Sequence, residues 1–145
     1  MTTIRAFVSF DTEYDENLYQ LLLEESRLAA SGFAVLNCSA RPREGQLGSG
    51  VLREQIREAD QVIVICGAHT GDSPSVAAEL RIAREERKPH FLIWGRREAM
   101  CTKPIGAETA EGMYSWTPEV LQERFAYMRR KEGTAEALRD MSRNR

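Results

Sequence analysis

The chain has 145 residues, 42% hydrophobic and 29% charged, which is the size and make-up of one globular domain able to bury a core without staples. Lys and Arg total 20 against 22 Asp and Glu, for a net charge of −2, and this argues against a nucleic-acid partner, which normally requires a basic excess. No apolar run reaches the ~20 residues of a membrane helix, and Met1-Thr2-Thr3-Ile4-Arg5 lacks the regions of a signal peptide, so a soluble cytoplasmic protein with no membrane partner is expected.

Ile4 to Phe10 is a short apolar run of β-formers and reads as a strand buried on both faces. Leu18, Leu21, Leu22 and Leu28 then recur at helical spacing, and Gly32 is expected to stop that helix. Phe33 to Cys38 reads as a second strand, followed by a loop from Ser39 to Gly50. Val51, Leu52, Ile56 and Ala59 mark a second helix, and Gln61 to Cys66 contains Val-Ile-Val-Ile, the clearest buried strand. Ser73 as N-cap and Pro74 at the first helical position open a third helix, with an apolar stripe of Val76, Leu80 and Ala83. Phe91 to Trp94 is the fourth strand. The pattern is lost from Gly95 to Gly112, and Met113 to Trp116 reads as a short fifth strand. Thr117-Pro118 starts a last helix carrying Val120, Leu121, Phe125 and Met128. The expected organisation is one domain over 1–130 and a charged tail over 131–145, in which Leu138 and Met141 allow one short helix.

Alternating strands and helices imply parallel strands joined by right-handed crossovers. The expected fold is α/β, a flavodoxin-like three-layer sandwich with a five-stranded parallel sheet of order 2-1-3-4-5. Ligands of such sheets bind beyond the carboxyl edge, where the first and third strands diverge. The loops there are Asp11 to Asn17, Ser39 to Gly50 and Gly67 to Ser75.

Glu79 is the sharpest candidate at that edge. At ~100° per residue it lies about 60° from Val76 and about 100° from Leu80, at the border of the buried stripe. It also sits early in its helix, where a carboxylate is favoured. The competing reading is a half-exposed Glu that packs its methylenes. Asp11 and Asp15 follow the first strand, and either Asp15 or Asn17 suits a helix cap. Ser39 and Arg41 follow the second strand as possible ligand donors or as ordinary loop residues. Gly45-Gln46-Leu47-Gly48-Ser49-Gly50 does not match a dinucleotide or phosphate loop. His69 and Thr70 lie in the loop after the third strand, and His90 lies at the opposite edge. Two distant histidines and three unclustered cysteines, Cys38, Cys66 and Cys101, argue against a metal site and for buried reduced thiols. Cys66-Gly67 stands where a phosphoacceptor receiver needs Asp, and Asp11-Thr12-Glu13 stands where a flavodoxin binds phosphate, which excludes both. Trp94 and Trp116 are expected to pack at the sheet edge.

Four stretches carry a family resemblance. Phe7-Val8-Ser9-Phe10 with Asp15 beyond, Asn37-Cys38-Ser39, Ile56 to Gly67 continued by Thr70, Ser73, Val76 and Glu79, and Lys88-Pro89 before Phe91 to Trp94 together resemble the TIR-like domain family that includes the bacterial Thoeris defence protein ThsB. The resemblance implies cleavage of NAD+ at the nicotinamide–ribose bond, giving ADP-ribose or a cyclised nucleotide signal in antiphage defence. It implies Glu79 as the catalytic carboxylate, with Phe10, Asp11, Asp15, Ser39, Arg41, Gly67, Thr70 and Ser75 around the substrate. NAD+ would be the substrate and no cofactor is expected. The implied partners are further copies of the chain, ordering the loop from Arg41 to Gly50, and a separate effector protein. A nucleoside deoxyribosyltransferase-like enzyme and a non-catalytic self-association or nucleotide-binding module are the alternatives.

Overall fold

Gln61–Cys66 forms β3, and all six of its residues are buried. A strand covered by helices on both faces has no polar side to show, which is why its sequence is continuously apolar. β3 is the middle of the sheet in the computed structural model, which describes residues 3–36 and 49–143, with Ser49 and 132–143 as backbone only. β1 is Ile4–Ser9, β2 Phe33–Val35, β4 His90–Trp94 and β5 Met113–Ser115, in the order β2-β1-β3-β4-β5. Every pairing is parallel, with Ser9 opposite Val64 and Cys66 opposite Trp94. The expected sheet and strand order are therefore present.

Helices α1 (Glu16–Ser26) and α4 (Pro118–Arg143) cover one face, while α2 (Ser49–Glu58) and α3 (Pro74–Glu85) cover the other. The period-2 alternation of β1 divides its side chains accordingly. Ala6, Val8 and the following Phe10 join Leu18, Leu22 and Phe125 on the α1–α4 side, and Phe7 joins Val62, Val64 and Val76 on the α2–α3 side.

Several boundaries differ from the sequence expectation. α1 ends at Ser26, capped by Arg27, so Leu28 lies outside it and is 66% exposed. Leu21 is also exposed, and Tyr19 and Leu23 take the buried face with Leu18 and Leu22. Gly32 does not end the helix. It adopts φ +79° at the entry to β2, where its carbonyl accepts from Ile4 N–H and from Arg129. β1 stops at Ser9, one residue short, and β5 at Ser115. Val51 is half exposed, so the buried face of α2 centres on Ile56 with Ala59 just beyond. α4 continues unbroken through 131 to Arg143 as one helix, with no separate short helix. Cys38 and the end of the expected second strand lie outside the described residues. Trp94 and Trp116 pack against the two cores at the sheet edge as expected.

Candidate functional site

α3 begins as its sequence demands. Ser73 is the N-cap, its Oγ accepts from Val76 N–H at 3.4 Å, and Pro74 occupies the first turn. This fixes the helix directly after the β3 loop and brings its buried face over β1. Glu79 lies on that face and is only 1% exposed. The half-exposed stripe edge expected from helical angle is therefore corrected. The reason lies outside the helix: Ser9 Oγ donates to Glu79 Oε1 at 3.0 Å, so the carboxylate enters the interior with a donor to meet it. Ser9 is itself fully buried and is the last residue of β1. Sequence reasoning did not single it out, although the β1 alternation that sends Phe7 toward α3 sends Ser9 there too.

The loop after β1 is organised by its two acids. Asp11 Oδ1 accepts from the N–H groups of Glu13 and Tyr14, at 2.9 and 3.0 Å, closing a tight turn. Asp15 occupies the N-cap position of α1, but its side chain makes no capping bond. The capping role considered for it is therefore not what its carboxylate does. That carboxylate is 1% exposed and turns toward the β3 loop; its Oδ1 accepts from Arg96 at 3.2 Å, and its Oδ2 is buried with no hydrogen-bond partner among the described residues. Burial holds the Asp15 pKa above the ordinary carboxylate value, against the opposing pull of Arg96.

Arg96 follows β4 in the stretch where the sequence pattern is lost. The same nitrogen also reaches the Tyr14 carbonyl at 2.9 Å and Asn17 Oδ1 at 3.1 Å. This stretch braces the end of β3 as well. Gly95 N–H donates to the Cys66 carbonyl, Thr102 N–H to the Gly67 carbonyl, and Gly71 N–H to Thr102 Oγ1. Nothing in the sequence of a non-periodic segment signals such a role.

The remaining expected site residues fall as follows. Gly67 is buried, and its N–H donates to Thr70 Oγ1 at 2.8 Å, with Thr70 fully buried. Ser75 is half-buried, its hydroxyl 3.2 Å from that of Ser73. Phe10 has its ring in the α1–α4 core, stacked on Tyr19 at 4.5 Å, so the ring is committed to packing. Ser39 and Arg41 lie outside the described residues. At the mouth of the edge, Tyr14 stacks on His69 with ring centroids 3.8 Å apart, which links the β1 and β3 loops. Cys66 is buried, and burial pushes its thiol up to about 12. Among the described residues, cavities on the α1–α4 side lie away from Glu79. One of about 460 Å³ runs past Leu18, Leu21, Trp94 and Trp116, and one of about 180 Å³ past Leu28, Phe33 and Leu121.

The described edge thus holds one buried carboxylate fixed by a strand hydroxyl, and a second clamped by an arginine. The family described as Thoeris protein ThsB, TIR-like domain, matches residues 7–99. No curated protein matches the chain. Among solved structures, it is similar to the TIR domain of the Toll-related receptor TRR-2 from Hydra magnipapillata, with TM-score 0.53 and 14% identity over 90% of this chain and 98% of that one. It is more loosely similar to Clostridium botulinum CMP N-glycosidase, BcmB, with TM-score 0.49 and 19% identity over 85% of this chain and 98% of that one. At 14% identity the likeness to the Hydra TIR domain is one of fold.

Proposed function

Because the chain belongs to the family of the ThsB TIR-like domain, we propose that it is a signalling enzyme that cleaves NAD+ at the nicotinamide–ribose bond in antiphage defence. The observation that carries this reading is the Glu79 carboxylate, held by Ser9 at the end of a central strand and inside the matched region.

The chemistry suits a lone carboxylate. The bond between ribose C1′ and the nicotinamide nitrogen breaks, and its electron pair leaves with the nitrogen. Nicotinamide departs neutral, so no general acid is required. C1′ gains oxocarbenium character, as in glycoside cleavage. Glu79 would face that charge and orient the ribose hydroxyls. Water attacking C1′ and losing a proton gives ADP-ribose, and attack by an adenine nitrogen gives a cyclic ADP-ribose-type signal. NAD+ enters as substrate and no cofactor takes part. Because Glu79 is 1% exposed, substrate entry must displace what covers it. We take the chain to act together with further copies of itself, and a separate effector to read the product.

Nicotinamide release from NAD+ by purified protein, followed chromatographically across a hundredfold range of protein concentration, tests the reading. Activity per molecule is expected to rise with concentration, and no transfer is expected from a deoxynucleoside to a free base. Absence of release, even with lysate of phage-infected cells, overturns it. The burial of Glu79 favours the second reading in that event: a non-catalytic module in which Ser9–Glu79 is a core hydrogen bond.

A further inference from the structure

Ser9 and Glu79 are 70 residues apart in sequence and 3.0 Å apart across the interior, and both are buried. A glutamate side chain has three free torsions, and ordering it costs rotamer entropy. A carboxylate that must meet a developing cation gains from being ordered before the substrate arrives. Ser9 is well placed to do this. It is paired with Val64 in the centre of the sheet, so its hydroxyl sits on one of the more rigid parts of the fold. α3 is fixed in turn by its Ser73 cap and the Pro74 start.

We propose that Ser9 is the positioning residue of the site: its hydroxyl donates to Glu79 Oε1 and fixes the orientation in which the carboxylate meets the ribose. This rests on the reading of Glu79 as the carboxylate that faces the substrate. Ser9 touches no substrate itself. The hydroxyl also satisfies one oxygen of a buried carboxyl group, which apolar neighbours such as Phe7 and Val76 would not do.

The test uses Ser9→Ala and Ser9→Thr in the full chain, with folding checked by circular dichroism and Glu85→Gln as the control. Hydrogen bonds to charged groups are among the stronger ones, so kcat of Ser9→Ala is expected to fall about 10- to 100-fold, with KM within about twofold of wild type. Ser9→Thr keeps the hydroxyl and is expected to recover kcat to within a few-fold. Independently of turnover, the 13C carboxylate resonance of Glu79, identified by its loss in Glu79→Gln, should move in Ser9→Ala and return in Ser9→Thr. If Ser9→Ala does not fold, Ser9→Cys, close in size and a weak donor, takes its place with the same expectations. Wild-type kcat in a folded Ser9→Ala or Ser9→Cys, or a Glu79 resonance that does not move, overturns the proposal. Should wild type release no nicotinamide, the functional reading falls, and the resonance alone decides whether Ser9 holds the carboxylate.

Discussion

The Asp15 carboxylate occupies the space in which a side chain on Gly67 would begin: a Cβ built there would collide with both Oδ2 and Oδ1. Gly67 is therefore a glycine for want of room. Gly67→Ala is expected to destabilise the fold by about 1–3 kcal/mol through overpacking, because Asp15 cannot withdraw without giving up Arg96. Urea denaturation measures this, and a variant as stable as wild type would show that Asp15 moves freely.

Asp15 also predicts a pH dependence. Its folded pKa is raised by burial, so the native state holds the proton more tightly than the unfolded chain does. Its contribution to stability is full below the ordinary value near 3.8 and is lost as pH rises through the raised folded value. Asp15→Asn cannot ionise and lacks this loss. The stability of Asp15→Asn relative to wild type is therefore expected to improve as pH rises from 3.5 to 7, read from urea titrations at each pH. A constant difference would contradict the raised value.

Glu79→Gln is expected to abolish NAD+ cleavage, since losing a preorganised charge typically costs ~10²-fold or more in rate. It should also cost about 1–3 kcal/mol of stability, because a buried amide gains N–H groups that need acceptors. Glu85→Gln on the same helix removes a half-exposed ion-pair partner of Arg53 and Arg81, and should match wild type in both assays. Equal turnover by Glu79→Gln and wild type would remove Glu79 from the site.

Cys66 is expected to resist alkylation in the native protein. A thiol moved from 9.0 to about 12 by burial holds about a thousandth of the usual thiolate at pH 8. Iodoacetamide labelling followed by peptide mass spectrometry, native against urea-unfolded, reads the difference. The same shift makes stability fall as pH rises above 9. Rapid native labelling of Cys66 would mean that its strand opens readily.

The sequence carried the sheet well and the site in part. Val62-Ile63-Val64-Ile65 and Ser73-Pro74 were legible because a doubly covered strand and a capped helix start leave local marks. The α1 stripe expected at Leu21 and Leu28 differs, since the helix stops at Ser26 and Tyr19 and Leu23 turn inward. The position of Glu79 at the border of the α3 stripe is legible, but its burial is not, because its partner sits on another element and helical angle knows only the helix. Arg96 lay in a segment without periodicity, so only the folded chain shows it meeting Asp15, Tyr14 and Asn17.

The parallel pairing of β1 with β3 sets an order of events in folding. Ser9 meets Val64 only after more than fifty intervening residues have closed into a loop, and the entropy of that closure is lost before the pairing gives anything back. During synthesis β1 emerges before β3, so its neighbour at the centre of the sheet must wait for Cys66, and Glu79 comes later still. For that interval the backbone edge of β1 that will pair with β3, and the Ser9 hydroxyl, stand without their final neighbours, which exposes this strand to mispairing.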